Sequence, residues 1–186
     1  LEFAIREDLN EHATRGMCVL KPLKVVITDF PDGEVLVLSA PRHPLREELG
    51  VRELPFTREV YIDADDFRVE ANKKYKRLVL GKRVRLRNAY VIEADEVVRN
   101  AGGDIVEVRA HIVPDTLGED PPDGIKPKGV IQWVSASRCR TAQVRLYERL
   151  FNHEAPDKCE QSFMEHLNPA SLQLVHDAWI EPALAD

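Results

Sequence analysis

The chain has few of the residues on which metal and disulfide sites depend. Its three cysteines (Cys18, Cys139 and Cys159) are odd in number, widely spaced and without a Cys-x-x-Cys pair, which argues against a disulfide framework and against a zinc site. Six histidines are scattered singly. No uninterrupted apolar stretch approaches the roughly 20 residues of a membrane-spanning helix. We therefore expect no metal site, no integral membrane segment and a reducing, cytoplasmic environment.

Catalytic motifs are missing from the sequence as well. It contains no Gly-x-Gly-x-x-Gly and no Gly-Lys-Ser or Gly-Lys-Thr run that would hold a phosphate. Ser135 lies in no nucleophile elbow, and Cys139 has no partner base that the sequence identifies. Asp63, Asp65 and Asp66 lack the glycine and the distant glutamate of a calcium loop, so we expect a capped turn there. The segment is predicted to bind a ligand, with no catalytic residue of its own.

Positive charge is concentrated in one part of an otherwise acidic chain. The 186 residues carry a formal net charge of -6, yet residues 73–87 contain eight basic residues and no acid. The eight are Lys73, Lys74, Lys76, Arg77, Lys82, Arg83, Arg85 and Arg87. A polyanion would be repelled by most of the surface and attracted to this basic segment, which would let an acidic protein bind nucleic acid in one orientation.

The second half of the basic segment alternates as a β-strand does. Arg83, Arg85 and Arg87, here called the arginine ladder, are predicted on one face of a strand. The opposite face is apolar and comprises Val84, Leu86, Tyr90 and Ile92. Guanidinium groups about 7 Å apart suit successive phosphates or base edges. The alternative is a solvated strand face, which the absence of acids within the run disfavours.

Most of the chain has the pattern of short strands. Residues 1 to about 11 fit a helix, and residues 23–30 and 34–38 fit a hairpin around Pro31-Asp32-Gly33. Further strands are predicted over 58–63, 84–92, 105–112, 130–135 and 172–181, and a short helix over 161–167. Residues 144–151 fit a helix or a strand. Turns between the strands argue for an all-β barrel or sandwich.

Nine runs taken together, in collinear order over nearly the full chain, resemble the anticodon-binding region of glutaminyl-tRNA synthetases. The most specific are Arg-Leu-Arg-Asn-Ala-Tyr at 85–90 and Lys-Gly-Val-Ile-x-Trp-Val-Ser at 128–135. The other runs lie at 5–10, 17–27, 55–63, 72–78, 122–124, 144–151 and 168–172. Glutamyl-tRNA synthetases of the archaeal and eukaryotic type share the architecture, but these two runs look more like the glutaminyl enzyme.

The resemblance implies a mainly β fold of two ribosomal-protein-like barrels with a short N-terminal helical stem. In this interpretation residues 1–20 form the stem from a preceding domain. Residues 21–67 and 143–186 form a proximal barrel, truncated because the chain stops before the last strands of the family, and residues 68–142 form the distal barrel. Because the chain opens with Leu1 and has no charged and then apolar leader, we expect a piece of a longer polypeptide.

The resemblance also implies a function for the parent protein, which would be a glutamine–tRNA ligase. The implied partner is the anticodon loop of glutamine tRNA, with no membrane and no DNA, and the parent enzyme is expected to be a monomer. The His-Ile-Gly-His and Met-Ser-Lys signatures of the catalytic domain are missing from these residues. We therefore expect no cofactor in this segment, with ATP, magnesium and glutamine bound elsewhere in the parent.

Site residues follow from the same resemblance, position by position. Basic positions that contact anticodon bases or phosphates in the family are matched by Arg15, Lys76, Arg77, Arg85 and Arg87. Asn10 matches a polar position near the anticodon stem, and Lys73, Lys74, Lys82 and Arg83 are expected as secondary basic contacts. Arginine can recognise the edges of splayed single-stranded bases or stack on them.

Four aromatic residues can be assigned to stacking or to the core. Tyr75 and Tyr90 offer rings for stacking on bases, although the pattern favours Tyr90, Trp133 and Trp179 as core residues.

Two other functions remain open. The first is a ribosomal-type β-barrel that binds structured RNA, and the second is a β-domain whose basic face docks an acidic protein.

Overall fold

The computed structural model describes residues 2–185 and is mainly β, with one α-helix at its start. In chain order the helix and strands are α1 Glu2–His12, β1 Cys18–Val19, β2 Pro22–Ile27, β3 Leu36–Pro41, β4 Val51–Phe56, β5 Glu59–Asp63, β6 Phe67–Arg68, β7 Leu78–Val79, β8 Arg83–Leu86, β9 Val91–Arg99, β10 Ile105–Ile112, β11 Val130–Ile131, β12 Val134–Ser135, β13 Arg140–Tyr147 and β14 Leu172–Ile180. Short 3-10 turns occur at Glu47–Leu49, Ala64–Asp66, Pro156–Lys158, Phe163–His166 and Pro182–Leu184. The predicted mainly β fold with an N-terminal helix is confirmed.

Seven strands form the largest sheet, in the order β11-β8-β9-β10-β2-β5-β12. Most neighbours are antiparallel, but β2 runs parallel to β10 and β11 runs parallel to β8. Three further units are a β1-β14-β13 sheet, a β3-β4 ribbon and a β6-β7 pair. The sheets curl around one side of a shared core and form a half-barrel, which is what twisted strands with one buried face do.

The core is continuous across these sheets. Phe56 is fully buried on β4, and its ring makes edge-to-face contacts with Phe30, Tyr90 and Trp133 at centroid distances of 5.1, 5.3 and 5.3 Å. Such aromatic pairs add about 0.5–1.5 kcal/mol each to the stabilisation from buried area. Tyr90 and Trp133 therefore pack in the core as predicted. Trp179 is partly buried against the same core.

The predicted hairpin over 23–30 and 34–38 is wrong. Strand β2 pairs with β5 on one edge and with β10 on the other, so neither edge is free for β3. Strand β3 pairs with β4 in register from Leu36 opposite Phe56 to Pro41 opposite Val51. Both strands of that ribbon bury alternate residues, which are apolar except for Arg52. Long-range pairing with matching alternation thus overrides the local turn signal.

The predicted strand over 84–92 is interrupted. β8 ends at Leu86 and β9 starts at Val91, with a turn between them in which Asn88 adopts a left-handed conformation at φ 57°. Asparagine tolerates that region because its short side chain can bond locally. Arg83 and Arg85 alternate with buried Val84 and Leu86, as expected, whereas the third residue of the ladder lies in the turn.

Three other segments remain to be compared with the sequence predictions: one that was ambiguous and two whose structure differs from the expectation. The first half of residues 144–151, which fit helix or strand, is the end of β13 and is paired with β14, whereas the second half lies outside that strand. The expected helix over 161–167 is a single 3-10 turn, Phe163–His166, whose N-cap Ser162 accepts from the Met164 amide. The expected strand over 130–135 is split into β11 and β12, which lie at opposite edges of the large sheet. Only exposed Gln132 and buried Trp133 separate the two strands.

The division into a stem and two barrels stays a prediction. Strands from residues 22–63 and from residues 83–112 share the large sheet, so hydrogen bonds cross the expected boundary between 67 and 68. Within residues 2–185 there is no helix that combines the length and the apolar character needed to cross a membrane.

Candidate nucleic-acid interface

The loop between β6 and β7 carries the first half of the basic segment. Its shape depends on Tyr75, whose hydroxyl donates to the Asp65 carbonyl oxygen at 2.9 Å and whose ring lies 4.5 Å under the Arg68 guanidinium. Burial raises the pKa of the Tyr75 hydroxyl. The cation–π contact covers one face of the ring. Tyr75 therefore holds the loop in place and has at most one face for a stacked base.

The lysines of this loop point away from other charges. Lys73, Lys74 and Lys76 are exposed, and their ammonium groups have no hydrogen bond or ion pair within residues 2–185. Lys82, in the turn before β8, is in the same state. Four of the predicted basic residues thus present uncompensated charge to solvent, where a phosphate backbone would gain most from it.

Arg77 is compensated by an acid from the preceding turn. Its Nε donates to Asp66 Oδ1 at 2.7 Å, and its Nη1 donates to the Lys76 carbonyl oxygen at 3.1 Å. Burial raises the pKa of the Asp66 carboxyl, and Arg77 opposes this by favouring the charged form. A polyanion that approached Arg77 would have to compete with this carboxylate.

Arg83 is the most fully paired residue of the ladder. Its Nε donates to Glu93 Oε2 at 2.8 Å, and its Nη1 donates to both Asp123 oxygens at 2.9 and 2.7 Å. These acids raise the pKa of Arg83, with Glu93 as the larger cause. The basic segment contains no acid, but the tertiary fold supplies two. Arg83 is therefore held in an ion-pair network on β8 and β9.

Arg85 is bonded to the backbone of a distant loop. Its Nη1 donates to the carbonyl oxygens of Ala89 and Thr116 at 3.2 and 2.8 Å, and its Nη2 donates to that of Glu119 at 2.5 Å. Asp120 lies 3.8 Å from Nη2. Two of these bonds hold the 113–120 loop against β8, and the third, to Ala89, is made to the turn after β8. In this arrangement Arg85 organises the site, and few of its donors remain for a ligand.

Arg87 has a fixed backbone and a free side chain. Its amide donates to the Ile131 carbonyl oxygen at 2.9 Å, and its own carbonyl oxygen accepts from Trp133 Nε1 at 2.9 Å. Its guanidinium is exposed and makes no hydrogen bond or ion pair within the described chain. This combination suits recognition, because the N–H donors of the guanidinium are free for a ligand while the backbone that carries them is held rigidly.

Arg15 and Asn10 are in direct contact at the end of α1. Arg15 Nη2 donates to the carbonyl oxygen and to the side-chain oxygen of Asn10 at 3.1 and 3.2 Å, and Nη1 donates to the Leu9 carbonyl oxygen at 3.2 Å. Buried His43 bonds the same Asn10 carbonyl through Nε2 at 2.9 Å, while its Nδ1 accepts from the Leu45 amide. The guanidinium satisfies carbonyls at the helix C-terminus.

The fold brings Arg15, near the start of the chain, close to Arg87 at the end of the basic segment. A cavity of about 340 Å³ has Arg15 and Arg87 in its lining, along with Met17, Asn88 and Gln132. Its size approaches that of small-ligand sites, and it combines the side chains of three arginines, the third being Arg52, with amide and apolar surface. Arg15 and Arg87 are 72 positions apart in the sequence, so only the folded chain creates this pocket.

Residues 128–131 connect the rest of the set. This segment runs along β8, where the amides of Arg85 and Arg87 donate to the carbonyl oxygens of Gly129 and Ile131 at 2.9 Å each. Gly129 also packs directly on the backbone of Lys76. A continuous track therefore runs from the basic loop through β8 to the cavity. Sequence reasoning missed exposed Lys128 and Gln132 on this track, although both lie within a run that carried the resemblance.

Comparison with known sequences identifies the family of the chain. A family profile described as tRNA synthetases class I (E and Q), anti-codon binding domain, matches residues 13–113, and a second profile of the same description matches residues 130–186. The chain belongs to this family. Its anticodon-binding domains are the ones that the resemblance in the sequence predicted.

Individual relatives of the anticodon-binding domain are named glutamine–tRNA ligases. One from Pseudomonas putida is 54% identical over 187 aligned positions, and those from Aliivibrio fischeri and Serratia proteamaculans are each 52% identical over 185. Each alignment covers 100% of this chain but only 33% of the relative. The chain therefore spans about a third of the length of the curated relatives that it matches.

Proposed function

We propose that this chain binds the anticodon loop of glutamine tRNA as part of a glutamine–tRNA ligase. The observation that carries the proposal is the track from Lys76 to the cavity between Arg87 and Arg15, which lies in a chain of the anticodon-binding family. Uncompensated lysines lie at one end of the track, and a pocket of base size lies at the other. That order fits a single-stranded loop whose backbone is held electrostatically while one base enters a pocket.

Each residue type has a separate task in this proposal. Lys73, Lys74, Lys76 and Lys82 attract the phosphates, and each contact releases counterions. Arg87 offers its free guanidinium to a base edge in the cavity, and Arg15 lines the same cavity while its guanidinium is bonded to Asn10. Arg85 and Arg83 hold the surrounding loop and strands, and Arg77 exchanges Asp66 for a phosphate on binding. Base identity is therefore recognised at the cavity.

The wider activity is proposed from the relatives. The ligase would join glutamine to its tRNA with ATP and magnesium in a domain outside residues 1–186, and this segment would contribute recognition without a cofactor. The parent would act in the cytoplasm as a monomer.

Fluorescence anisotropy with a labelled anticodon stem-loop tests the proposal. The chain is titrated against the glutamine-tRNA loop, against the same loop with its middle anticodon base changed, and against a glutamate-tRNA loop, each at two salt concentrations. We expect salt-sensitive binding that falls about tenfold on the base change, which corresponds to about 1.4 kcal/mol. Equal binding to all three loops would contradict anticodon recognition and favour a ribosomal-type barrel or a basic docking face.

A matched pair of variants separates the two kinds of contact. Lys76→Met should weaken binding to all loops alike and reduce the salt slope by about 0.7 for a single-stranded contact. Arg87→Met should reduce the difference between the loops by about 1–3 kcal/mol if Arg87 bonds a base. A loss of both properties from either variant would contradict the division of tasks along the track.

A further inference from the structure

A buried ion pair lies behind the cavity and belongs to none of the contacts assigned above. Arg52 Nε donates to Glu181 Oε1 at 2.5 Å, and the two side chains are only 3% and 2% exposed. The partners are 129 positions apart in the sequence. Arg52 also lines the cavity that contains Arg15 and Arg87. Burying both charges carries a large desolvation penalty, so a well-packed apolar pair of similar volume would support the fold equally well.

The pair joins the segments that carry Arg15. Arg52 Nη1 donates to the Pro41 carbonyl oxygen, and the next residue, Arg42, accepts from the Arg15 amide at 2.6 Å. On the other side the Glu181 amide donates to the Met17 carbonyl oxygen at 3.1 Å. Arg15 therefore lies between two backbone positions that both lead directly to the ion pair.

A steric contact closes this arrangement. Gly16, between Arg15 and Met17, lies so near the Leu184 side chain that a β-carbon at position 16 would overlap it. Leu184 belongs to the 3-10 turn Pro182–Leu184 that begins immediately after Glu181. The position of Glu181 thus sets where the turn presses on the Arg15 backbone, as well as where Met17 is hydrogen-bonded.

The pair also controls charge in the cavity. With Glu181 bonded to it, the Arg52 guanidinium is compensated, so the positive charges of the cavity wall that have no acidic partner within residues 2–185 are those of Arg15 and Arg87. An unpaired Arg52 would add a third guanidinium that is free to bind a phosphate at the same place. Compensation therefore favours a neutral base with hydrogen-bonding edges over a phosphate in this pocket.

We propose that Arg52 and Glu181 are positioning residues for base recognition: they fix the Arg15 segment and keep the cavity selective for a base over a phosphate. The proposal rests on the proposed anticodon binding. It predicts that the pair affects discrimination between loops more than overall affinity, because its members set the geometry of the pocket and lie outside the lysine-bearing loop.

The decisive variant replaces both charges with apolar groups of similar volume, Arg52→Met with Glu181→Leu. Such replacements keep or raise stability in other buried pairs, so the urea midpoint should stay near that of the unaltered chain. Discrimination against the changed middle base should fall about tenfold, which is about 1.4 kcal/mol, while the salt slope is unchanged. Full discrimination by a folded double variant would overturn the proposal, because a purely structural pair predicts that result.

A second variant covers the case in which the double variant does not fold. Leu184→Ala keeps both charges and shortens a side chain that is 44% exposed, so it should fold. By relaxing the contact with Gly16, it should lower discrimination in the same direction and leave the salt slope unchanged. Unaltered discrimination in Leu184→Ala would overturn the proposal. If the unaltered chain itself failed to discriminate, the proposed anticodon binding would fail, and this outcome is distinct from a discriminating chain with insensitive variants.

Discussion

Gly129 packs directly on the backbone of Lys76, at the point where the basic loop meets the strand segment 128–131. A β-carbon built on Gly129 would lie far inside van der Waals contact of the Lys76 carbonyl oxygen. Because the obstacle is backbone, it cannot move as the end of a flexible side chain would. This contact fixes the position of a free lysine relative to β8, and with it the entrance to the proposed RNA track.

Gly129→Ala should therefore displace the basic loop. Overpacking a tight site costs about 1–3 kcal/mol, so the free energy of unfolding in urea should fall by that amount. Affinity for the anticodon stem-loop should fall with it, because Lys76 and Arg77 move together. Gly102→Ala is the matched control, since a β-carbon there would meet only the exposed Asn100 and Asp104 side chains at 3.3 and 3.4 Å. Equal losses from the two variants would contradict this steric account.

Truncation of Arg85 should lower the stability of the fold, whereas truncation of Arg87 should leave it almost unchanged. Arg85→Met leaves three carbonyl oxygens of the 113–120 loop and its surroundings without their donor, so stability should fall by about 1–3 kcal/mol. Arg87→Met removes an exposed side chain without a partner in residues 2–185, so stability should change by about 0.5 kcal/mol or less. Thermal melts of both variants measure this difference. A destabilised Arg87→Met would show that its side chain also supports the fold.

Removing Asp66 should strengthen the binding of RNA. Asp66→Asn deletes the carboxylate that holds Arg77 at 2.7 Å, so Arg77 would be free to meet a phosphate. Anisotropy at low salt should show tighter binding and a steeper salt dependence. Asp65→Asn is the control. It removes one negative charge nearby, but the Asp65 carboxylate pairs with Lys21 at 2.9 Å and not with Arg77. Equal gains from both variants would mean that only the total charge matters.

Acid should weaken the pairing of β2 with β10 through one carboxylate. Lys24 Nζ lies 2.8 Å from Glu107 Oε2 across that parallel pair, and its hydrogen bond lowers the pKa of Glu107 from 4.5. A lowered carboxyl pKa stabilises the folded chain above the unfolded value, and the contribution is lost as the pH falls through the folded value.

Glu107→Gln should accordingly flatten the acid limb of the stability curve. The contribution of this partly exposed pair should be about 1 kcal/mol at neutral pH, and urea midpoints from pH 7 down to pH 3 measure its loss. Glu34→Gln serves as the control, since Glu34 has no basic partner within residues 2–185. An unchanged acid limb in Glu107→Gln would contradict a stabilising role for the pair.

Local patterns predicted elements well where the chain's own alternation decides the structure. Helix α1 and strands β5 and β10 lie where the sequence placed them. The pattern failed at Pro31-Asp32-Gly33, where the turn signal predicts a hairpin although both edges of β2 are paired with other strands. Turn chemistry reports local backbone preference, whereas strand partners depend on residues far away in the chain.

The sequence by itself determined the family, the mainly β class and the location of the basic segment, because composition, alternation and collinear runs need no partner to be recognised. Only the tertiary structure decided which of those charges are available. Acids and carbonyls from distant segments compensate Arg77, Arg83 and Arg85, whereas Arg87 is left free beside Arg15. Ion pairing depends on distances of a few ångströms, and residues far apart in sequence reach such distances only when the chain folds.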